Sequence, residues 1–206
     1  MLVYEKQAHH NGYQLIIGVD EAGRGPLAGP VVASAVALKQ HRFTNLIKDS
    51  KKITEHQRVN AFYEIHEKAY VGVGIISESV IDEVNILQAT FLAMATAVRH
   101  LVLQYEKEQQ ISPLIDHHVM LLIDGPHFKS DLPYSFKTIV KGDDLSMSIA
   151  CASIIAKVTR DRILKIYDQV FPQYGFKDHK GYATTRHRQA IRDFGLSMIH
   201  RRSFCL

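Results

Sequence analysis

Tryptophan is absent from this chain of 206 residues, and cysteine occurs only as Cys151 and Cys205. Cys151 lies in an Ala/Ser/Ile-rich segment and Cys205 next to the end, so neither a CxxC pair nor a disulfide framework can be drawn. Zinc fingers and disulfide-stapled folds are set aside with them. Long apolar runs are missing too. No uncharged run reaches the roughly 18 to 20 apolar residues that cross a bilayer, and the longest candidate, Pro26 to Leu38, is broken by Gly29 and Pro30. Met1 to Asn11 carries Glu5, Lys6 and two histidines where a secretory leader needs an apolar stretch. The expected location is therefore the cytoplasm, with no membrane partner. Neither sign of charge dominates: Lys+Arg 25 against Asp+Glu 21 leaves a net charge of +4, which suits a polyanionic partner and equally an ordinary enzyme.

What the chain does have is a core. Hydrophobic residues make up 46%, enough for one buried domain and too many for disorder. Gln14 to Asp20 and Val31 to Leu38 read as strands joined by the Gly/Pro-rich loop Ala22 to Pro30. Thr54 with Gln57 three residues on has the form of a capping box and opens a helix to about Lys68, followed by a third strand, Tyr70 to Ile76. The spacing of Ile86, Phe91, Met94, Val98, Leu101 and Val102 predicts a helix whose polar tail ends at Ser112 and Pro113. Val119 to Asp124 is an unbroken apolar strand suited to the middle of a parallel sheet, and Phe136 to Val140 a weaker one. A long helix follows from about Ser146 to Val170, then a loop over Gly175 to Tyr182, then a basic helix capped by Thr184 or Thr185 and closed by Gly195. This order predicts an α/β domain with a mixed sheet over residues 1–171, and a C-terminal helical appendage over residues 172–206, working as one unit.

Four acids stand at element ends or on the long helix: Asp20, Glu21, Asp124 and Asp161. Singly, each has a structural explanation. Asp124-Gly125 is a common turn pair, Asp20 and Glu21 can simply end a strand, and Asp161 can pair with Lys157 at i, i+4. Together they suggest more, because the carboxyl ends of neighbouring strands in an α/β sheet converge on one crevice. Two bare carboxylates about 4 Å apart repel by roughly 4 kcal/mol at an effective dielectric of 20. A converging set therefore needs protons or a cation, and all-oxygen ligation suits Mg²⁺ or Mn²⁺. Strand alternation raises a difficulty. Asp20 and Glu21 cannot both face one crevice from a regular strand, so the chain should leave the strand there, or one acid should act through water or its backbone.

Ser153, Lys157 and Asp161 form a polar stripe at i, i+4 and i+8 that faces either solvent or the crevice. The twelve histidines read as surface or loop residues, since His9/His10 and His117/His118 are adjacent pairs without ligand spacing. The loop Gly23-Arg24-Gly25-Pro26-Leu27-Ala28-Gly29 matches neither a Walker loop nor GxGxxG. Its glycines would let backbone N–H groups approach a phosphate or sugar while the arginine forks onto it. Asp49-Ser50-Lys51-Lys52, Lys180-Gly181-Tyr182 and His200-Arg201-Arg202 add hydroxyl, cations and an aromatic. Phosphate contacts with a stacking ring are the usual chemistry of nucleic-acid binding.

These residues resemble a known family. Gly18-Val19-Asp20-Glu21-Ala22-Gly23-Arg24-Gly25-Pro26-Leu27-Ala28-Gly29-Pro30 is similar to the N-terminal signature of bacterial ribonuclease HII. The likeness continues through Asp49 to Lys52, Asn85 to Thr90, Asp124-Gly125, Lys141-Gly142-Asp143, Ala152 to Asp161, His179 to Tyr182 and His200 to Phe204, nearly the whole chain. It implies a ribonuclease H-like mixed sheet flanked by helices, and endonucleolytic cleavage of RNA in RNA/DNA hybrids, including single ribonucleotides in duplex DNA. It also implies that Asp20, Glu21, Asp124 and Asp161 form the site for Mn²⁺ or Mg²⁺. Gly23, Arg24 and Gly25 would read the ribose 2′-hydroxyl and flanking backbone, joined by Ser50 and Lys51, and Tyr182 would stack at the RNA–DNA junction. The expected products carry 5′-phosphate and 3′-hydroxyl ends, and the expected active species is a monomer. The chain departs from the family pattern at Pro126 and His127, where Asn is usual, and at Asp144, where a small residue is usual. Two rivals stay in view. A metal-independent nucleic-acid binder fits the charge and Tyr182 but leaves Asp124 unexplained, and a sugar-kinase-like phosphotransferase needs two large lobes, hard to meet in 206 residues.

Overall fold

A computed structural model describes residues 1–111 and 118–205. Helix α1 (Val3–His10) precedes strand β1 (Leu15–Ala22) and strand β2 (Val31–Leu38). Helix α2 (Glu55–Lys68), strand β3 (Ala69–Ile76), helix α3 (Glu78–Val84) and helix α4 (Ile86–Gln109) follow. Then come β4 (Val119–Asp124), β5 (Ser135–Ile139), the one-turn α5 (Gly142–Leu145) and the long α6 (Met147–Val170). Short α7 (Phe176–His179), α8 (Thr185–Phe194) and α9 (Arg202–Cys205) close the chain. The strands form one sheet in the order β3-β2-β1-β4-β5. β1 pairs antiparallel with β2, and β2 with β3, while β1/β4 and β4/β5 are parallel. This is the mixed sheet flanked by helices that the alternation of elements predicts.

Strand alternation sorts the core. Ile17, Val19, Ala33, Ala35, Leu121 and Ile123 face one side and bury against Met94, Ala97, Val98 and Leu101 of α4. Gly72 and Gly74 of β3 bring α4 so close that a Cβ at either would lie 2.0 Å from a carbonyl of Ala97 or Ala93. The other side packs on α6, with Ile16 and Leu122 against Ile149, and Val36 in a cluster with Ile154, Ile155 and α2. Gly18 permits that contact, since a Cβ there would lie 2.3 Å from the Ser148 carbonyl carbon. Among the described residues one helix, α4, is long and apolar enough to cross a membrane by length and composition. The apolar maximum therefore lies there and not at Pro26 to Leu38, and its buried face is occupied by the sheet.

The capping box at Thr54 forms as the sequence predicts, with Gln57 N–H donating to Thr54 Oγ1 and Thr54 N–H to Gln57 Oε1. Thr184, not Thr185, caps α8, and Gly195 closes it. The stretch Gly175 to Tyr182 is not all loop, because α7 occupies Phe176–His179 between left-handed residues at Gly175 and Lys180. Helices α1 and α3 are not among the elements that apolar spacing predicts. The first is docked by a buried acid: Glu5 Oε1 accepts from Ser146 Oγ at 2.6 Å, Ser148 Oγ at 2.8 Å and Ser148 N–H at 3.0 Å. The second holds the C-terminus, where Asp82 accepts the N–H groups of Arg202 at 2.9 Å and Ser203 at 3.0 Å. The predicted break at Ser112 and Pro113, and His117, lie outside the described residues. C-terminal residues Tyr174, Phe176, Ala190 and Ile199 share a buried cluster with Ala28 and Leu164. The end of the chain is thereby packed against the loop that follows β1.

Candidate active site

β1 and β4 stop side by side, and their acids meet at that edge. Pairing between them ends at Val19↔Ile123, while β1 stays paired with β2 through Ala22↔Val32. Asp20 shares the face of Gly18 and Ile16, and Asp124 that of Leu122, so both point toward α6. The expectation that the chain leaves the strand at Glu21 is corrected: it leaves β4 but not β2. Glu21, beyond the last β4 pair, still lines the same cleft as Ser153.

The electrostatics show how close the acids are. Asp20 is buried, and that burial, then the charges of Glu21 and Asp124, push its carboxyl well above the usual range. Hydrogen bonds from Ser153 and from the Glu21 N–H, 2.7 Å from Oδ1, offset only part of this. Glu21 is raised by burial and by Asp124, against the pull of Arg24 at 3.4 Å. The Gly142 N–H donates to Asp124 Oδ1 at 2.7 Å, which seats α5 beside the site. Its Asp143 is pushed up to about 6 by burial, then by Asp124 and Asp49. Desolvation works to lower Lys51, but Asp49, Asp20, Asp143 and Asp124 together raise it.

Asp161 does not join this group. The hydroxyl of Ser153 touches Asp20, and Asp161 lies eight residues further along α6, a rise of about 12 Å. Its carboxylate instead accepts from Lys157 Nζ at 2.8 Å, and it borders a groove shared with Glu55, Arg58 and Lys165. The acid that the structure brings to Asp124 is Asp143. Its signal in the sequence is Lys141-Gly142-Asp143, which follows β5 at the same sheet edge.

Next to the acids is a cleft of about 270 Å³, lined by Glu21, Gly23, Arg24, Gly25, Ser50, Lys51, Ser153, Lys157, Arg160 and Tyr182. The stripe Ser153–Lys157 thus faces the crevice and not solvent. Ser50 is buried, with its hydroxyl 3.0 Å from Ser153 Oγ, and Arg58 donates to its carbonyl at 2.7 Å. Tyr182 is 46% exposed, with its ring 3.8 Å from where a Cβ on Gly25 would lie. Asp144, one of the departures from the family pattern, pairs with Lys52 and ties the 49–52 loop to α5. Pro126 and His127 are exposed.

The loop 23–29 is held from behind by two buried arginines. Arg201 donates to the carbonyls of Gly23 (2.6 Å), Arg24 (3.0 Å), Pro26 (2.9 Å) and twice to Gly29 (2.9 and 2.7 Å). Arg160 donates to Ala28, Pro30 and Lys180. Burial, then the neighbouring Arg160, pushes Arg201 down to about 9. The histidine expectation also needs correction, because His179, His187 and His200 are buried together. His187 Nδ1 must donate to the Tyr182 carbonyl at 2.9 Å, so its Nε2 accepts from His200 Nε2 at 3.0 Å. His200 Nδ1 accepts in turn from Ser197 N–H and Oγ. His179 Nδ1 takes the Gly181 N–H, and its Nε2 donates to the Tyr174 carbonyl. All three rings are neutral in this network, and they fix the backbone that carries Tyr182. Their separation in sequence hid the cluster.

The family model for ribonuclease HII matches residues 17–206. The chain belongs to the ribonuclease HII family. It is 52% identical over 205 residues to ribonuclease HII of Acetivibrio thermocellus, covering 99% of this chain and 75% of that one. It is 51% identical over 202 residues to that of Syntrophus aciditrophicus, covering 98% and 89%. Its fold matches ribonuclease HII of Archaeoglobus fulgidus, solved in complex with PCNA, with TM-score 0.67 at 24% identity over 94% of this chain and 96% of that one. It also matches Bst-RNase HIII, solved in complex with Mn²⁺, with TM-score 0.66 at 19% identity over 96% and 69%. The chain is a type 2 ribonuclease H, an endonuclease acting on an RNA strand.

Proposed function

We propose that this ribonuclease HII hydrolyses the RNA strand of RNA/DNA hybrids and cuts at single ribonucleotides in duplex DNA, leaving 5′-phosphate and 3′-hydroxyl ends. The observation that carries this reading is the junction of two features: carboxyls whose proton affinity is raised by burial and mutual repulsion, and a Gly-Arg-Gly cleft with an exposed tyrosine beside them. In the first feature a bound cation would stabilise ionised forms that burial and repulsion disfavour, and the second offers donors and a stacking ring to a nucleic acid.

The donor set fits Mg²⁺ or Mn²⁺. Asp20, Glu21, Asp124 and Asp143 are hard oxygen donors near no ligating histidine or thiolate, and Mg²⁺ usually takes one or two carboxylates together with water and substrate phosphates. Among the described residues no group of three or more His, Cys, Asp or Glu side chains is arranged to hold a metal ion on its own. When bound, such ions supply an activated water and stabilise the leaving 3′-oxygen. Asp20 and Asp124 are the proposed central ligands, with Glu21 and Asp143 flanking them. Asp161 sets the position of Lys157 at the cleft wall. Arg24, Ser50 and Lys51 meet the phosphate backbone, Gly23 and Gly25 allow the sugar close approach, and Tyr182 stacks at the junction.

The test is incubation with a duplex bearing one ribonucleotide, with and without chelator, and end-group analysis of the products. Cleavage at the ribonucleotide that disappears in EDTA is expected. Binding without cleavage under every metal condition would instead support a plain nucleic-acid binder.

A further inference from the structure

We propose that Arg201 is a positioning residue for ribonucleotide recognition: its guanidinium turns the Gly23–Arg24–Gly25 backbone so that the N–H groups of Arg24 and Gly25 face the substrate. The proposal rests on the reading of this cleft as the ribonucleotide site. A buried arginine is ordinarily paired with a carboxylate. Here all five guanidinium N–H groups go to backbone carbonyls of one loop, those of Gly23, Arg24, Pro26 and Gly29. Such a fork of fixed, planar donors matches a turn of carbonyls in a way that a lysine, with three donors at one point, cannot.

The consequence follows from the planarity of the peptide unit. In a trans peptide the carbonyl and the following N–H point in opposite directions. Drawing the Gly23 and Arg24 carbonyls inward onto Arg201 therefore sends the N–H groups of Arg24 and Gly25 outward, to the side where Gly23, Arg24, Gly25 and Tyr182 line the cleft. Both flanking residues are glycines, for which rotating a peptide plane meets little steric resistance, so the loop does not hold this orientation unaided. The end of the chain is pinned to act as its template. Arg201 N–H donates to the Leu27 carbonyl at 2.8 Å, the Gly29 N–H to the Ile199 carbonyl at 2.9 Å, and Asp82 receives Arg202 and Ser203. The outward N–H pair suits an acceptor oxygen, which in a nucleic acid is a ribose 2′-oxygen or a phosphate oxygen.

The experiment compares wild type with Arg201→Lys and Arg201→Gln on a duplex with one ribonucleotide, with folding followed by circular dichroism and Mn²⁺ affinity measured in parallel. The expected result is a folded variant whose KM rises about tenfold, the loss of roughly one hydrogen bond. kcat and Mn²⁺ affinity should stay near wild type, and Lys should be milder than Gln. In ¹⁵N-labelled wild type with EDTA, the Arg24 and Gly25 amides should shift with the ribonucleotide duplex and much less with the all-DNA duplex. Equal shifts with both would assign the N–H pair to phosphate, not sugar, and overturn the ribonucleotide role. An unchanged KM in a folded variant would overturn the proposal, and so would failure of both variants to fold, which would make Arg201 a stability residue. Absence of ribonucleotide cleavage by wild type with Mg²⁺ or Mn²⁺ would instead overturn the functional reading beneath it.

Discussion

At the sheet end of the cleft, Asp20, Glu21 and Asp143 hold their protons more tightly than free carboxyls do, because burial and neighbouring acids, Asp124 in every case, disfavour ionisation. On the far side of the 23–29 loop, His187, His200 and Arg201 are displaced the other way, and burial disfavours their cationic forms. The decisive difference is in hydrogen bonding. The histidine rings and Arg201 use their ring nitrogens and N–H groups on protein partners, whereas the bonds that Asp20 accepts from Ser153 and the Glu21 N–H, and the pull of Arg24 on Glu21, offset only part of the burial and repulsion of the acids. A satisfied polar network rigidifies, and acids held above their usual range beside a cleft mark a candidate for function. One cluster is framework, and the other is chemistry.

The comparison breaks most sharply if the acids can be neutralised at no cost to activity. Asp124→Asn should lower cleavage by at least about a thousandfold, since several kcal/mol of charge stabilisation go with the metal, while hybrid binding in a gel-shift assay remains measurable. Near-normal turnover would remove Asp124 from the site.

The framework should fail through stability instead. Gly23 sits at φ +99° with a would-be Cβ 2.1 Å from Arg160 Nε, so Gly23→Ala should cost about 2 to 4 kcal/mol of unfolding free energy in urea titration. Gly25 has only Tyr182 near, at 3.8 Å. Gly25→Ala should leave stability within about 0.5 kcal/mol and weaken substrate binding alone. Equal destabilisation of the two would erase the distinction.

Tyr182→Ala should weaken action on single-ribonucleotide duplexes by roughly 1 to 3 kcal/mol in kcat/KM, the usual worth of a stacked base. An equal loss on long hybrids would argue against the junction role.

The smallest effect is in pH. Asp143, at about 6 when folded and 3.8 ordinarily, takes up its proton first in the folded state, so in metal-free buffer it adds stability as pH falls from 6 to 3.8. His200, at about 4 when folded and 6.5 ordinarily, is protonated first in the unfolded state, so stability is lost as pH falls from 6.5 to 4. Denaturation midpoints between pH 7 and 4 should therefore fall more steeply in Asp143→Asn than in wild type, and less steeply in His200→Gln. Parallel profiles would show that neither group is displaced as described.

Much of the fold was legible because period-2 and period-3.6 patterns report burial directly. β1, β2, β4, α4 and α6 lie within a residue or two of where their apolar spacing puts them. α3 was not legible, since Glu78–Val84 is only seven residues long, and its importance lies in Asp82 and the chain end it anchors. The candidate site was legible where strand ends point to it, at Asp20, Glu21 and Asp124. Asp161 lies more than two turns along α6 from Ser153 and bonds Lys157, while Asp143, beyond β5, is the further acid beside Asp124. The burial of Arg160 and Arg201 was not legible, and Arg201 read only as added positive charge, because nothing in sequence separates a buried cation bonded to carbonyls from a solvated one.

The most direct measurement is Mn²⁺ binding by titration calorimetry to wild type, Asp124→Asn, Asp143→Asn and Asp161→Asn. The first two substitutions should abolish or sharply weaken binding, and Asp161→Asn should leave it near wild type. Full affinity in Asp124→Asn, or loss of binding in Asp161→Asn with Asp143→Asn unaffected, would contradict the assignment of the metal site.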